Sequence, residues 1–469
     1  MADWIADYRA TLGARSIAPT AQAGEVFAAL DAHIWSESAP IEEVLSEFEQ
    51  AVMPGVLHWG HPAFLGYFGS TSNGPALLGE FAAAALNVSA MTWQTSPAAT
   101  EMETLTLRWI RDLIGLPDAF FGIVYDTASI ATLHALAAAR ERSGLEIRAR
   151  GLAGRVDLPT FRIYASDQAH SSVQKAAVVL GIGEQNVVRV PSDDDFRMRA
   201  ESLRRAVDAD QAVGHHPFAV VATVGTTSTA SVDSVQEIAE LCAERGIWLH
   251  VDAAYGGAMG AVEEGRWAME GTEHADSIVV NPHKWLFVPL DFSTLYVRDP
   301  ELLRSVFALV PDYLAGDTGS SQFPDYMDYS IQLGRRFRAL KAWMVFRSFG
   351  AKGIASRIRE HCRLARFFAS LVAGDSAFVL GAPVTMGVVC FRFEPTGLSP
   401  LGTDALNEAI VAELNAGGRV FLTHTRLKGK INMRIGLGNL LTTEAYLQEA
   451  WGEIARVAKA TATGQLASV

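Results

Sequence analysis

Cysteine is scarce in this chain: Cys242, Cys362 and Cys390 are the only three in 469 residues. Odd in number and far apart, they fit neither a disulfide framework nor paired thiolate ligands for a metal, so no metal is expected and a reducing cytoplasm is the natural setting. Long apolar runs are missing too. No stretch reaches the roughly 18 consecutive apolar residues of a membrane-spanning helix, and no membrane partner is expected. Basic charge is in deficit, with 39 Lys and Arg against 52 Asp and Glu and a net charge of −13. Without a basic stripe such a surface repels a nucleic-acid backbone, which excludes nucleic acid as a partner. The opening MADWIADYRATLGARS places Asp3 and Asp7 where an export signal needs basic residues and an apolar stretch.

Apolar material for a core is ample. Hydrophobic residues make up 49% and charged ones 19% of the sequence, and the length predicts two or more domains. Residues 1–73 read as a helical segment, with Trp4, Ile5, Tyr8 and Leu12, then Phe27, Leu30 and Ile34, at helical spacing, whose apolar faces need cover either from their own domain or, as a dimerisation segment, from a second subunit. From 74 to 340 strand-like stretches alternate with helical ones. FRIYA (161–165), FAVVATV (218–224), IWLHVDAAY (247–255) and SIVV (277–280) interleave with SIATLHALAAARER (129–142) and VDSVQEIAELCAERG (232–246). That alternation predicts an α/β domain on a mostly parallel sheet, whose ligands bind at the carboxyl ends of its strands. Residues 341–469 read as a smaller α+β domain, with strands in GVVCFRFE and INMRIGLG and a surface loop over TGLSPLGTDA.

Four stretches at expected strand ends carry chemistry. In HVDAAYGG, Asp252 closes an apolar strand, either facing a ligand or capping a helix after it. In NPHKW, Lys284 stands beside Trp285 after a buried strand, where loss of solvation favours the neutral amine that attacks a carbonyl. In DTAS, the backbone amides at a helix start, with the Thr127 and Ser129 hydroxyls, make a cradle for phosphate. In ASDQAHSSVQKAA, His170 follows a strand and opens a helix. A phosphate cradle, an aromatic ring, an acid and a lysine, in that order, form the binding kit of pyridoxal 5′-phosphate.

The sequence at this point resembles the group II pyridoxal-phosphate-dependent decarboxylases of fold type I, and within them the aromatic-L-amino-acid decarboxylases. HPAFLGYF (61–68), SPAATEMET (96–104), YASDQAHSSVQKA (164–176), VATVGTTSTASVD (221–233), WLHVDAAYGG (248–257), NPHKW (281–285) and LGRRFRALKAW (333–343) carry the resemblance over nearly the whole chain. It implies that Lys284 carries the cofactor as a Schiff base, that Asp252 pairs with the pyridine nitrogen and that His170 stacks on the ring. Thr127, Ala128, Ser129 and Asn281 are implied for the phosphate, with Thr227 and His283 lining the same cleft. Tyr313, in the P-x-Y-L pattern of a Gly-, Ser- and Asp-rich stretch (310–326) that reads as a mobile loop, matches the family's proton donor to Cα.

The substrate pocket departs from the family. Gly69 and Ser70 follow Tyr67 and Phe68 where a proline is usual, and Ser89 and Met91 stand where bulkier apolar or aromatic residues are common. Small and flexible linings admit a bulky ring, so Trp, Tyr, Phe or DOPA is the expected substrate class. The resemblance further implies a homodimer with composite sites. An aldehyde synthase uses the same kit, but loop phenylalanine or a changed histidine marks the oxidative members, and Tyr313 and His170 are both present. An aminotransferase would need an arginine clamp, for which Arg434 is the candidate; a glutamate decarboxylase fits the pocket stretches less well.

Overall fold

The computed structural model describes residues 1–31, 36–69, 71–309 and 322–466. They divide into two compact units: Ser72–Cys362 with Ala382–Gly387, and Met1–Thr71 with Arg363–Gly381 and Val388–Val469. The N-terminal segment therefore packs with the C-terminal part of the chain. No helix among the described residues is long and apolar enough to cross a membrane.

The first unit is built on seven strands: β1 (Phe121–Tyr125), β2 (Phe161–Ser166), β3 (Val187–Val190), β4 (His216–Thr223), β5 (Trp248–Asp252), β6 (Ser277–Val280) and β7 (Ser293–Val297). Their order is β1-β7-β6-β5-β4-β2-β3. Strands β2 to β6 pair in parallel, and β7 runs antiparallel between β6 and β1. Runs such as AVVAT, WLHVD and SIVV are buried along their whole length, as expected of a sheet covered on both faces. The expected α/β class with a largely parallel sheet is the observed one.

Helices of this unit begin on residues suited to the task. Helix α1 (Gly74–Leu86) starts at Asn73, whose side chain accepts the Ala76 N–H, and ends on Asn87 at φ 47°. Helix α2 (Pro97–Ile114) opens on Pro97 and stops at Gly115, at φ 79°. Helix α3 (Ala128–Arg142) is capped by Thr127, whose hydroxyl accepts the Ile130 N–H. Ahead of it, the buried pair Arg335 and Glu103 (2.5 Å) grips β1: Glu103 accepts the Val124 N–H and Arg335 donates to the Val124 carbonyl. Two of the stretches that carry the family resemblance thus meet behind the strand that delivers α3. A charged pair this deep is held in part by these further bonds to the β1 backbone, which offset some of the cost of burying it.

In the second unit an antiparallel sheet runs β10 (Thr423–Leu427), β11 (Lys430–Gly436), β9 (Val388–Phe393), β8 (Phe378–Leu380). The stretch TGLSPLGTDA is only half loop. Ser399 caps and Pro400 begins a helix reaching Gly417, with Ser399 accepting the Gly402 N–H. Ser-Pro is a helix start here because proline is missing only an N–H that the first turn cannot use.

Candidate active site

In parallel strands, successive carboxyl ends fall on one edge, and the polar stretches picked out above all sit there. Strand β1 ends at Tyr125 and leads into α3; β2 leads to His170; β4 ends at Thr223; β5 ends at Asp252; β6 leads through Asn281 into the short helix Pro282–Trp285, which carries Lys284. Side chains from five strands are gathered by topology alone.

Asp252 and Lys284 are both close enough to His170 to act on it electrically. The His170 pKa is lowered, first by loss of solvation on its packed side, with the Lys284 and Lys175 cations adding and the Asp252 carboxylate opposing. Its Nδ1 accepts the Ser172 N–H at 3.2 Å, so the neutral ring carries its proton on Nε2. Asp252 is buried and accepts the Ala254 N–H at 3.1 Å. Directly beside it in the sheet register lies Thr223, on the same face, with a buried hydroxyl that has no protein partner. The end of β4 is held by Asp233, which accepts the Thr223 and Met198 N–H groups. Trp285 is a fixed post: it stacks on Tyr255 (4.6 Å between centroids) and donates its Nε1–H to His361. The tryptophan beside Lys284 therefore anchors the turn that presents the lysine.

Two further groups are oriented as donors. The His283 Nδ1 accepts the Phe292 N–H at 3.0 Å, and burial drives its pKa down to about 3. The ring is neutral with its proton on Nε2. The Asn281 Oδ1 accepts the Ser293 hydroxyl at 2.6 Å, which leaves its amide N–H₂ as the donor end. An amine, a buried acid with an unpartnered hydroxyl alongside, neutral N–H donors and a helix N-terminus suit a ligand with a carbonyl, a basic ring nitrogen and an anionic phosphate. That is the chemistry of pyridoxal phosphate, and the donor set fits it.

Thr227 is exposed on the turn after β4. Ser89 and Met91 lie on the loop after α1, where the Ser89 carbonyl accepts the Thr95 hydroxyl and the Met91 carbonyl accepts the Met327 N–H. Tyr67 and Phe68 belong to the other unit. There Tyr67 takes φ 54° and stacks on Trp59 at 5.2 Å. Arg434, the candidate carboxylate clamp, donates to the Tyr67 carbonyl at 2.8 Å and lies over the Phe68 ring at 4.6 Å. It is engaged in holding its own unit's backbone. Tyr313 and Ser70 lie outside the described residues. Sequence reading missed Thr223, whose signal was its place at the end of a strand next to that of Asp252.

A primary amine, an acid and an imidazole gathered at the carboxyl edge of a mostly parallel sheet define the chain as a fold type I pyridoxal-phosphate enzyme. Residues 24–394 match the pyridoxal-dependent decarboxylase conserved domain, and the chain belongs to that family; it is a pyridoxal-dependent carboxy-lyase. It is 38% identical to the aromatic-L-amino-acid decarboxylase of Sus scrofa, over 97% of this chain and 94% of that one. The phenylacetaldehyde synthase of Arabidopsis thaliana is 36% identical, over 96% and 93%. The crystal structure of Oryza sativa TDC with PLP and tryptamine superposes with a TM-score of 0.93 at 34% identity, covering 98% of this chain and 96% of that one.

Proposed function

We propose that this enzyme removes the α-carboxylate of an aromatic L-amino acid of the Trp, Tyr, Phe or DOPA type, releasing the amine and CO2. The observation that carries the reading is the placement of His170, Asp252 and Lys284 at or after the carboxyl ends of β2, β5 and β6, at one sheet edge, supported by the aromatic substrates named for its relatives. When bound, the pyridoxal ring supplies the electron sink that lets the carboxylate leave. Lys284 supplies the amine that holds the cofactor, and Asp252 holds a proton at the ring nitrogen. His170, neutral by its lowered pKa, covers the ring face without adding a charge. Asn281, His283 and the α3 start, Thr127 to Ser129, take the phosphate; Thr227 lines the cleft. Tyr67, Phe68, Ser89 and Met91 shape the substrate pocket, and Tyr313 returns the proton to Cα.

We also propose a homodimer. Helix α1 leaves Leu78, Phe81 and Leu86 at 64, 52 and 59% exposure, an apolar surface larger than scattered side chains need. Three free, buried thiols support a cytoplasmic setting. The decisive experiment incubates the cofactor-loaded protein with each of the twenty amino acids, DOPA and 5-hydroxytryptophan, quantifying amine, aldehyde and CO2. Amine and CO2 in equal amounts from aromatic substrates alone support the reading. Aldehyde as main product replaces it with oxidative deamination, and turnover of glutamate alone overturns the substrate class.

A further inference from the structure

An acid stands just before the cap of α3, where a phosphate would have to approach. Asp126 precedes the cap, and its Oδ1 accepts the Thr127 N–H at 2.6 Å, while its Oδ2 receives a longer contact of 3.5 Å from the Gln332 side-chain amide. Two turns further along, His134 is fully buried inside the helix. Its Nδ1 meets the Ile130 carbonyl at 2.7 Å, and its Nε2 meets the Ile331 N–H at 3.1 Å. A carbonyl only accepts and an amide N–H only donates, so one neutral tautomer, protonated on Nδ1, satisfies both contacts. The ring packs against Tyr125 (4.6 Å) and Phe307 (4.4 Å).

The dipeptide Ile331–Gln332 is therefore tied to α3 at two points, through His134 and through Asp126, and both ties bracket the turn Thr127–Ile130. Burial pushes the His134 pKa down to about 4, against the opposing pull of the Ile130 carbonyl and the Asp126 charge and with the Arg335 cation adding to it. The neutral acceptor thus persists at working pH.

We propose that His134 and Gln332 are positioning residues for the phosphate end of the cofactor site, bracing the first turn of α3 and drawing the Asp126 carboxylate to the Gln332 amide. This rests on reading Thr127 to Ser129 as the phosphate cradle. His134 acts through Ile130 and Ile331 and touches no reacting atom.

The test titrates apoprotein with pyridoxal 5′-phosphate and, separately, with pyridoxal, which lacks the phosphate, reading cofactor absorbance and fluorescence. In His134→Phe, which keeps a stacking ring but loses the acceptor, the dissociation constant for pyridoxal phosphate should rise about fivefold to tenfold, the worth of one hydrogen bond, with pyridoxal affinity unchanged. His134→Gln, which offers an amide oxygen to the Ile331 N–H, should lie nearer the native value. Gln332→Glu sets a second carboxylate against Asp126 and should weaken pyridoxal phosphate alone; being on the partly exposed side of the brace, it decides the matter if His134→Phe does not fold. Native selectivity retained in the variants, or equal loss for both ligands, overturns the proposal. A native protein that binds the two ligands equally well overturns the cradle reading itself, and the brace with it.

Discussion

The two edges of the seven-stranded sheet both carry an acid with cations close by, yet only the carboxyl edge is the one we propose as the site. At the amino edge, Asp276 immediately precedes β6. It accepts from Arg142 at 2.8 Å and from the Leu249 N–H at 2.7 Å. Arg142 also lies over Trp248 at 4.9 Å, and Arg298 donates to the Ala275 carbonyl while covering Phe120. A cavity of about 640 Å³ opens among these residues. At the carboxyl edge, Asp252 has a backbone amide for a partner, and an unpartnered hydroxyl stands next to it. Charges matched to one another hold a fold together; a buried acid beside an unpartnered hydroxyl, within a framework of oriented donors, suits a ligand. The carboxyl edge gains the second character because strand ends, turns and helix N-termini all gather there.

Substitutions should separate the two edges sharply. Lys284→Ala is expected to abolish turnover and the cofactor's protein-bound absorbance band while the far-ultraviolet circular dichroism stays native. Asp252→Asn keeps the shape and removes the charge. It should lower kcat by on the order of a hundredfold or more, as for loss of an oriented electrostatic partner in a closed site, and steady-state kinetics at saturating cofactor would show it. Tyr313→Phe should bind cofactor normally but cut amine formation by about 100-fold or more and raise aldehyde and peroxide; unchanged amine yield would remove Tyr313 from its role.

At the amino edge the expected effects are smaller and of a different kind. Asp276→Asn still accepts the Leu249 N–H and loses a partly exposed ion pair, so chemical denaturation should show a loss of about 0.5–1 kcal/mol with kcat within about twofold of native. A large fall in kcat there would erase the distinction between the edges.

Acid provides a graded test of the whole interior. His134, His250 and His283 are buried neutral, with pKa values driven down to about 4, about 4 and about 3. Below pH 6.5 the unfolded chain takes up protons on these rings while the folded one does not. Stability is therefore expected to fall as pH drops from about 6.5 to about 4 and to be fully present above that window. Melting temperatures across it would check the sign.

Much of this edge was legible in the sequence because the features are local. A strand followed by Asp-Ala-Ala-Tyr-Gly-Gly or Asn-Pro-His-Lys-Trp declares both its end and its chemistry within ten residues. What escaped depends on partners distant in sequence. Nothing near Trp285 announces that its indole binds His361, 76 positions away. Nothing near Arg434 announces Tyr67, 367 positions back. The start of the helix at Pro400 was missed for another reason, since glycine, proline and serine serve both loops and helix caps. Thr223 was hidden by its plainness: a buried threonine is ordinary until its hydroxyl is found without a partner beside Asp252.

The most direct measurement reduces the cofactor-loaded enzyme with borohydride, digests it and maps the pyridoxyl-bearing peptide by mass spectrometry. The label is expected on Lys284, in the peptide containing Asn-Pro-His-Lys-Trp. A label confined to another lysine, such as Lys175 or Lys341, would contradict the assignment on which the site rests.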